Sequence, residues 1–452
     1  MGALEQYLEL YRTHRQVIDE NGAEVINALR PAAYSILEGG RLPRRGDENY
    51  KNVDVEGLLA PDYGINLLKK ELKVNPEMSL RCDLPVISTS ILMNVNDTFA
   101  ARRDALDTLP DGVDVGSLRE FAGIEQEEVK AYYGKIADMS NPLVALNTLL
   151  AQDGLYLRVR RGVQLDQPIQ LINILSSVYP LMAVRRILIV VEEGAAVKLL
   201  ACDHTQRAGV EMMDLETIEV HVAAGAHFDY YHIEESSDST RRLSTLYVEQ
   251  EEGSHVNING TTLSNGITRN EYYCRLMGRE AELRLYGMGI LDGDRVLGTY
   301  SHIDHRASHC KSNELFKMTA DDRGNGAFTG RIHVAEGAVK TEAYQASRNL
   351  VGSEGARIDS KPQLEIYNDD VKCSHGCAIG QLDPMQIFYM RTRGIKEERA
   401  RHLLRQAFMA DVIDAIDWAP LRDKLHLLTE RRFAGVRSAC GGCKACNLKT
   451  GE

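Results

Sequence analysis

One short segment near residue 370 combines side chains that bind metal ions. It reads Asp369-Asp-Val-Lys-Cys-Ser-His-Gly-Cys377. If the backbone is extended there, Cys373 and His375 project from the same face, because side chains two positions apart are parallel in a strand. A thiolate beside an imidazole is a donor pair suited to iron or zinc. Two protein ligands leave such a site incomplete, so a second chain would have to complete it; the alternative is a buried thiol beside a structural histidine.

A second group of cysteines follows the last helical segment, in Cys440-Gly-Gly-Cys443-Lys-Ala-Cys446. A spacing of three in a glycine-rich loop lets three thiolates converge on one ion or cluster, although a closed site would still lack one donor. The alternative is an oxidisable tail that binds nothing. The spacing alone leaves both interpretations open.

Four further potential ligands are His302, His305, His309 and Cys310. Their spacings of three and four would align on a helix, but the preceding segment, Val296-Leu-Gly-Thr-Tyr-Ser, is typical of strand and turn. Ladders of stacked polar side chains explain this cluster without a metal. The sequence contains no P-loop, nucleophile-elbow or zinc-protease motif. We therefore expect no catalytic residue in this chain.

The composition is that of an acidic protein with a packed core. The 452 residues include 53 Lys and Arg against 65 Asp and Glu, which gives a formal charge of −12, and 44% are hydrophobic. This balance argues against nucleic acid as a partner, since general binding needs a basic face. The longest aliphatic run, Ile187–Val191, is far shorter than the roughly 20 residues that span a bilayer, and no secretory signal is apparent. Nine unevenly spaced cysteines are typical of free thiols, so we expect a cytoplasmic protein without a membrane partner.

Two helical regions flank a long stretch with strand periodicity. Residues 1–38 and 117–150 have apolar residues at helical spacing. From about 155 to 380, apolar and polar residues alternate with a period of two, as in strands with one face in a core. Asp383-Pro384 is a helix-start signal, and helical spacing then continues to about Phe433.

The strands recur with a turn at nearly constant spacing. Segments that begin at Gly194, Gly225, Gly253 and Glu280 each place a turn before a strand, with offsets of 31, 28 and 27 residues. Such a repeat predicts the stacked coils of a β-solenoid. A large antiparallel sandwich is the alternative, but the repeating turns favour the solenoid.

The sequence thus predicts a mainly β protein in four parts. They are an N-terminal helical region with an irregular segment (1–150), a β-helix core (151–382), a C-terminal helical domain (383–434) and a cysteine-rich tail (435–452).

Several segments resemble the SufB/SufD family, whose members are subunits of the SUF machinery for iron–sulfur cluster assembly. The main match is Lys361-Pro-Gln-Leu-Glu-Ile-Tyr-Asn-Asp-Asp-Val-Lys-Cys-Ser-His-Gly-Cys-Ala-Ile-Gly-Gln-Leu-Asp383, continuing to Phe-Tyr-Met-Arg-Thr-Arg-Gly-Ile. SufB-type chains have Glu after the corresponding histidine, so Gly376 favours the SufD type. The supporting matches are Leu42-Pro-Arg-Arg, Asn141-Pro-Leu-Val-Ala-Leu-Asn147, His305-Arg-Ala-Ser-His-Cys-Lys-Ser312, Asp321-Asp-Arg-Gly324, Gly330-Arg-Ile and Lys340-Thr-Glu-Ala-Tyr-Gln345.

The resemblance implies a right-handed parallel β-helix between helical domains, and a non-catalytic subunit of an ATPase-driven complex. The β-helix would pair with a SufB-like scaffold, and residues 384–433 would bind a SufC-like ABC ATPase. Cys373 and His375 would lie at the scaffold junction and take part in iron acquisition, or ligate a transient iron–sulfur cluster shared with the scaffold. Cys377 stands where the family pattern usually has Ala, and is either a third ligand or a small buried residue.

Two other functions stay open at this stage. The chain could be a self-sufficient metal or iron–sulfur carrier that uses Cys440, Cys443 and Cys446. It could also be a clamp that only couples the ATPase to the scaffold, with His375 inert. A β-helix with an exposed pairing surface would also allow the isolated chain to form a homodimer.

Overall fold

The computed structural model describes residues 2–70, 90–100 and 106–435. Within them, the helices α1–α10 are Ala3–Glu20, Glu24–Asn27, Arg30–Glu38, Val55–Leu59, Leu118–Ile124, Gln126–Tyr132, Pro142–Leu150, Pro384–Thr392, Glu397–Asp414 and Ala419–Phe433. The strands β1–β20 are Gly64–Ile65, Ser90–Val95, Thr98–Phe99, Val113–Ser117, Gly154–Val159, Ile169–Leu175, Leu181–Val191, Ala196–Thr205, Met212–Val222, His227–Glu235, Thr240–Gln250, His255–Ser264, Ile267–Leu276, Glu282–Leu291, Val296–His305, Lys311–Ala320, Asn325–Val334, Glu342–Val351, Arg357–Ile366 and Lys372–Gly380.

From β5 onward, successive strands alternate between two sheets, so that two strands make one coil. The odd-numbered sheet runs in the order β4, β5, β7 and so on to β19, and the even-numbered sheet runs from β3 through β2, β6 and β8 to β20. Pairing is parallel from β5 to β19 and from β2 to β20. The short pairs β2–β3 and β4–β5 are antiparallel. The predicted β-solenoid is confirmed, and the antiparallel sandwich is excluded.

In six successive coils, from β7–β8 to β17–β18, the turn between the two strands uses a left-handed residue at the same place. A backbone N–H in this turn donates to a carbonyl of the next coil, as from Gly225 to Glu252 at 2.8 Å. This conformation favours glycine, yet three members have side chains, so the stacked neighbours must enforce it. The predicted repeating turn is present, including its member without glycine. The residues, with φ, are Gly194 (64°), Gly225 (62°), Gly253 (63°), Glu280 (61°), His309 (62°) and Lys340 (60°).

The main core lies between the two sheets, inside the coils. Side chains at alternate positions point inward and stack on register partners in the next coil, as in the column Ile187, Ile218, Leu246 and Tyr272. All four belong to one buried apolar cluster. Parallel, in-register stacking therefore turns each inward position into a continuous column along the solenoid axis.

The helical regions cover the outer faces of opposite sheets. N-terminal helices pack on the odd-numbered sheet, where Tyr7 shares a cluster with Leu215 of β9. C-terminal helices pack on the even-numbered sheet, where Val412 of α9 shares a cluster with Ile233 of β10. Both sheets are thus buried on two faces over much of their length.

Two helices begin with the same capping geometry, and the second of them confirms the predicted helix start at Asp383-Pro384. Asn141 caps α7, and its side chain accepts a hydrogen bond from the N–H of Leu143 at 2.9 Å. Asp383 caps α8 in the same way, by accepting from the N–H of Met385 at 2.8 Å. In both helices a proline takes the first position, where its missing N–H has no intrahelical partner to lose.

Strand pairing begins well before residue 151. Strands β1–β4 lie between Gly64 and Ser117, and β2 pairs with β6 inside the even-numbered sheet. The division at residues 150, 382 and 434 stays a prediction. Across the described residues, none of the helices combines the length and apolar character needed to cross a bilayer.

Candidate functional site

The solenoid ends in two strands that have no outer neighbour among the described residues. Strand β19 pairs with β17, and β20 pairs with β18. Their outer N–H and C=O groups form edges that can pair with another chain. Exposed apolar side chains surround these edges: Tyr344, Ile366, Tyr367 and Ile379. We call this surface the open end.

The three predicted ligands of the 369–377 segment lie on β20, at the open end. The strand continues through Gly376 to Gly380, so the glycine does not interrupt the alternation. Register partners in neighbouring parallel strands point to the same side of a sheet. Cys373, His375 and Cys377 therefore face the interior side, because their partners on β18 are the buried residues Ala343, Gln345 and Ser347.

The three side chains differ in exposure because no further coil covers them. Cys373 is half-buried and packs against the main core. Burial raises the pKa of its thiol, although a backbone hydrogen bond with Ala343 works in the opposite direction. His375 and Cys377 are exposed. The strand therefore presents one protected thiol and two accessible donor groups to an incoming molecule.

The open end does not contain a complete metal site. Across the residues that the structure describes, no group of three or more His, Cys, Asp or Glu side chains is placed to hold an ion. A site built on Cys373 and His375 needs additional donors from outside these residues. That a second chain completes the site stays a prediction.

The cluster of histidines at 302–310 does not form one site. His305 is buried inside the coil and hydrogen-bonds through Nε2 with Oγ of Ser312 at 2.8 Å, and burial lowers its pKa to about 4. His302 has the opposite parity on β15, and His309 occupies a left-handed turn. Cys310 is buried and donates to the carbonyl of Gly278 at 3.2 Å. These positions fit the alternative explanation, in which they belong to the stacked coils.

The tail cysteines Cys440, Cys443 and Cys446 lie outside the described residues. Their metal role stays a prediction from spacing alone.

The sequence-based interpretation missed a polar layer beneath β20. Nε2 of Gln345 donates to Oε2 of Glu314 at 2.5 Å, and both side chains are buried inside the coils. The alternation on β16 concealed this layer, because it suggests that the apolar Leu315 faces inward and that the charged Glu314 faces solvent. In the structure Leu315 packs outward against the C-terminal helices, and Glu314 points inward. Because this strand is buried on both faces, an apolar side chain does not by itself indicate which face points into the coil.

A cleft of about 410 Å³ lies where the last strands meet α8 and α9. Three of its lining residues are Arg391, Arg401 and Arg405. Glu397 pairs with Arg391 at 3.3 Å and with Arg401 at 2.9 Å, and Asp321 pairs with Arg405 at 2.8 Å. The positive charge of the cleft is therefore largely matched within the chain.

Helix α8 leaves an apolar face uncovered beside this cleft. Met385, Phe388 and Tyr389 are all exposed. They are spaced three and four residues apart, which places them on one face of the helix. Among its residues only Ile387 is buried. An exposed apolar helix face of this kind is typical of a protein contact surface.

Comparison with known proteins supports the resemblance stated from the sequence. The family model for the SufBD core domain of the SUF iron–sulfur cluster assembly system matches residues 174–408. The model for the SufBD N-terminal region matches residues 1–171. Together these matches cover both the N-terminal region and the solenoid with the first C-terminal helices.

Two curated relatives extend over most of the chain. An iron–sulfur cluster assembly SufBD family protein of Synechocystis is 26% identical over 431 residues, which is 94% of each chain. The iron–sulfur cluster assembly protein SufD of Escherichia coli is 26% identical over 402 residues, covering 87% of this chain and 90% of the relative. With both family models matched in succession, the chain belongs to the SufBD family of iron–sulfur cluster assembly proteins and is a homologue of SufD.

Proposed function

We propose that this chain is the non-catalytic, SufD-type subunit of a cytoplasmic SufB–SufC–SufD-like complex. Its open end would pair with a SufB-like scaffold, and iron or a nascent iron–sulfur cluster would be the cargo at that junction. His375 would act as an interfacial ligand, with Cys373 as a supporting thiol and Cys377 as a third donor. The observation that carries this proposal is the position of His375, which is accessible on a strand whose outer edge has no partner in the described part of the chain.

The surroundings of His375 support a partner at this place. The open end combines unpaired strand edges with exposed apolar side chains, which is the composition of an interface rather than of an ordinary solvated surface. The same surface would serve a homodimer when the chain is isolated. Cys202, Cys274 and Cys310 are free thiols in the structure, which fits a reducing compartment.

The C-terminal helices supply the second proposed interface. We assign the contact with a SufC-like ABC ATPase to the surface of residues 384–433, with the exposed face of α8 at its centre. Helices α9 and α10 are fixed to the even-numbered sheet through the shared apolar cluster. A force applied to them by the ATPase would therefore reach the strands that carry the open end.

The test is anaerobic purification of the complex after co-expression with the scaffold and ATPase of its own host. His375→Ala is expected to leave the complex assembled and to lower iron and acid-labile sulfide per complex several-fold. Ser374→Ala is the matched control, because Ser374 is the neighbouring residue and faces the opposite side of β20. An unchanged cluster content in His375→Ala would contradict the ligand role and favour the clamp function.

We do not propose a self-sufficient carrier, because only the spacing of the three tail cysteines supports it. Deletion of residues 440–446 in the same complex is expected to leave the cluster content unchanged. Loss of iron on this deletion, with His375 intact, would indicate that the tail cysteines are the iron ligands.

A further inference from the structure

The interior column that ends at His375 is polar in its last layers. Leu285, Glu314, Gln345 and His375 are register partners on β14, β16, β18 and β20. Glu314 is 0% exposed and Gln345 is 3% exposed. Buried carboxyl and amide groups cost free energy unless they are hydrogen-bonded. Their position directly beneath a candidate ligand therefore calls for a functional reason.

The amide of Gln345 is held at its nitrogen end. Nε2 donates to Oε2 of Glu314, in the preceding coil, at 2.5 Å. Across the interior, a Cβ atom at Gly330 would lie 2.4 Å from Nε2 and 2.9 Å from Cδ of Gln345. A side chain at position 330 would therefore force the amide to move, and the glycine leaves the space that the amide occupies in the structure.

The carbonyl end of the same amide is unused. Oε1 of Gln345 is buried and has no hydrogen-bond partner within the described part of the chain. Because Nε2 is bonded to the preceding coil, Oε1 is the end of the planar amide that is free for the following one. The register partner there is His375. An imidazole N–H is a donor that matches this vacant acceptor.

We propose that Gln345 is a positioning residue for His375. His375 is exposed and is not hydrogen-bonded to this amide in the structure. A rotation of its side chain towards the column would let the carbonyl of Gln345 accept a hydrogen bond from one imidazole nitrogen, which fixes the tautomer and leaves the other nitrogen unprotonated for iron at the open end. Histidines that bind metals are commonly oriented in this way by an acceptor on the opposite ring nitrogen. The inference rests on the proposed function of His375, but the hydrogen bond itself requires no iron.

The test measures the tautomer of His375 in the full-length chain without iron. Histidine is labelled with ¹⁵N, long-range ¹H–¹⁵N spectra are recorded at pH 8.5, where an ordinary imidazole is neutral, and the His375 signals are assigned by their loss in His375→Ala. One tautomer is expected to dominate in the wild type. Gln345→Leu is expected to reduce the tautomer ratio about five-fold, as for the loss of one typical hydrogen bond. Equal ratios in the two proteins would overturn the proposal.

Asn349→Leu is the matched control. Asn349 lies on the same strand and face as Gln345, is equally buried, and also has a carbonyl oxygen without a partner among the described residues. Its register partner is Ile379, the residue four positions after His375. The control should leave the His375 tautomer unchanged, and an equal shift in both variants would overturn the proposal. If Gln345→Leu does not fold, Gly330→Ala displaces the amide without removing a polar group and should shift the ratio in the same direction.

The outcome separates this inference from the proposed function. A tautomer shift in Gln345→Leu, together with unchanged cluster content in His375→Ala, would support the positioning role and overturn the ligand role. An unshifted tautomer with reduced cluster content would do the reverse.

Discussion

Lys317 of β16 and Phe408 of α9 join the solenoid to its C-terminal helices. The ammonium group of Lys317 donates to the backbone carbonyl of Phe408 at 2.6 Å and lies 4.7 Å from the centre of its ring. It also donates to Oδ2 of Asp411 at 2.5 Å. The lysine side chain is 3% exposed. A buried cation whose donors are satisfied on one helix fixes that helix to the strand beneath it.

Lys317→Met is therefore expected to loosen α9 while the coils stay folded. Hydrogen bonds that involve a charged group contribute about 2 kcal/mol, so local opening of α9 and α10 should become about 30-fold more frequent. Hydrogen exchange measured by mass spectrometry would show faster exchange in these helices and unchanged exchange in β16. Lys311→Met is the control, because Lys311 lies on the same strand and forms only an exposed pair with Glu282. Equal exchange in both variants would contradict this role of Lys317.

The buried carboxyl of Glu314 makes stability depend on pH. Burial raises its pKa from 4.5 to about 7, although hydrogen bonds with Ser301 and Gln345 act in the opposite direction. Between these values the folded chain holds a proton that the unfolded chain has released. The contribution of this group to stability is therefore present below about pH 4.5 and is lost as the pH rises towards 7.

Glu314→Gln removes this proton linkage and keeps an acceptor for Gln345. Relative to the wild type, the variant should gain about 3 kcal/mol of unfolding free energy between pH 4.5 and pH 8, at about 1.4 kcal/mol per pKa unit. Denaturant midpoints of both proteins at several pH values would measure the difference. A difference in unfolding free energy between the two proteins that stays constant across this pH range would contradict the raised pKa of Glu314.

The sequence predicted the coil architecture because its signals are local and repeated. Alternation in β9 and the turn at Glu280 could be identified directly, and both have the predicted form in the structure. The strands before residue 151 were not predicted, because β2 and β4 are short and are separated by polar segments. Their place is set by pairing with β6 and β5, which is a tertiary contact that no local pattern reports.

The site could be predicted only in part, for a related reason. Parity correctly indicated that Cys373 and His375 lie on one side of a strand. It could not show that this strand is the last of its sheet within the described residues, since the order of strands depends on tertiary pairing. It also could not identify Gln345 beneath His375, because register joins residues that are 30 positions apart in the sequence.

A charge at the open end is expected to weaken scaffold binding without unfolding the chain. Ile379 is 49% exposed, so lysine at this position can stay in solvent in the isolated protein. We expect Ile379→Lys to change the free energy of unfolding by less than about 0.5 kcal/mol and to weaken scaffold binding at least about tenfold. Binding of the purified partners would be measured by calorimetry. The control is Tyr179→Lys, at an exposed apolar residue in the loop between β6 and β7, which should bind the scaffold normally. Equal losses of affinity in the two variants would show that the open end is not the interface.

The exposed face of α8 is expected to determine ATPase binding. Phe388→Glu places a carboxylate among Met385 and Tyr389, and should reduce capture of the SufC-like ATPase at least about tenfold while scaffold pairing persists. Ile124→Glu, at an exposed apolar residue in the N-terminal region, is the control. Normal ATPase capture by Phe388→Glu would contradict this role of α8 and favour α9 or α10 as the binding surface.

The shared left-handed turn also determines how the length of such a protein can change. Each coil contributes two strands and the two turns that follow them, so adding or removing 27 to 31 residues as a unit moves the open end by one strand spacing, about 4.8 Å. The inward columns keep their parity in that case. A single inserted residue within β20 would instead turn its side chains to the opposite face. Relatives should therefore differ in solenoid length by whole coils, while the histidine keeps its position within the last coil.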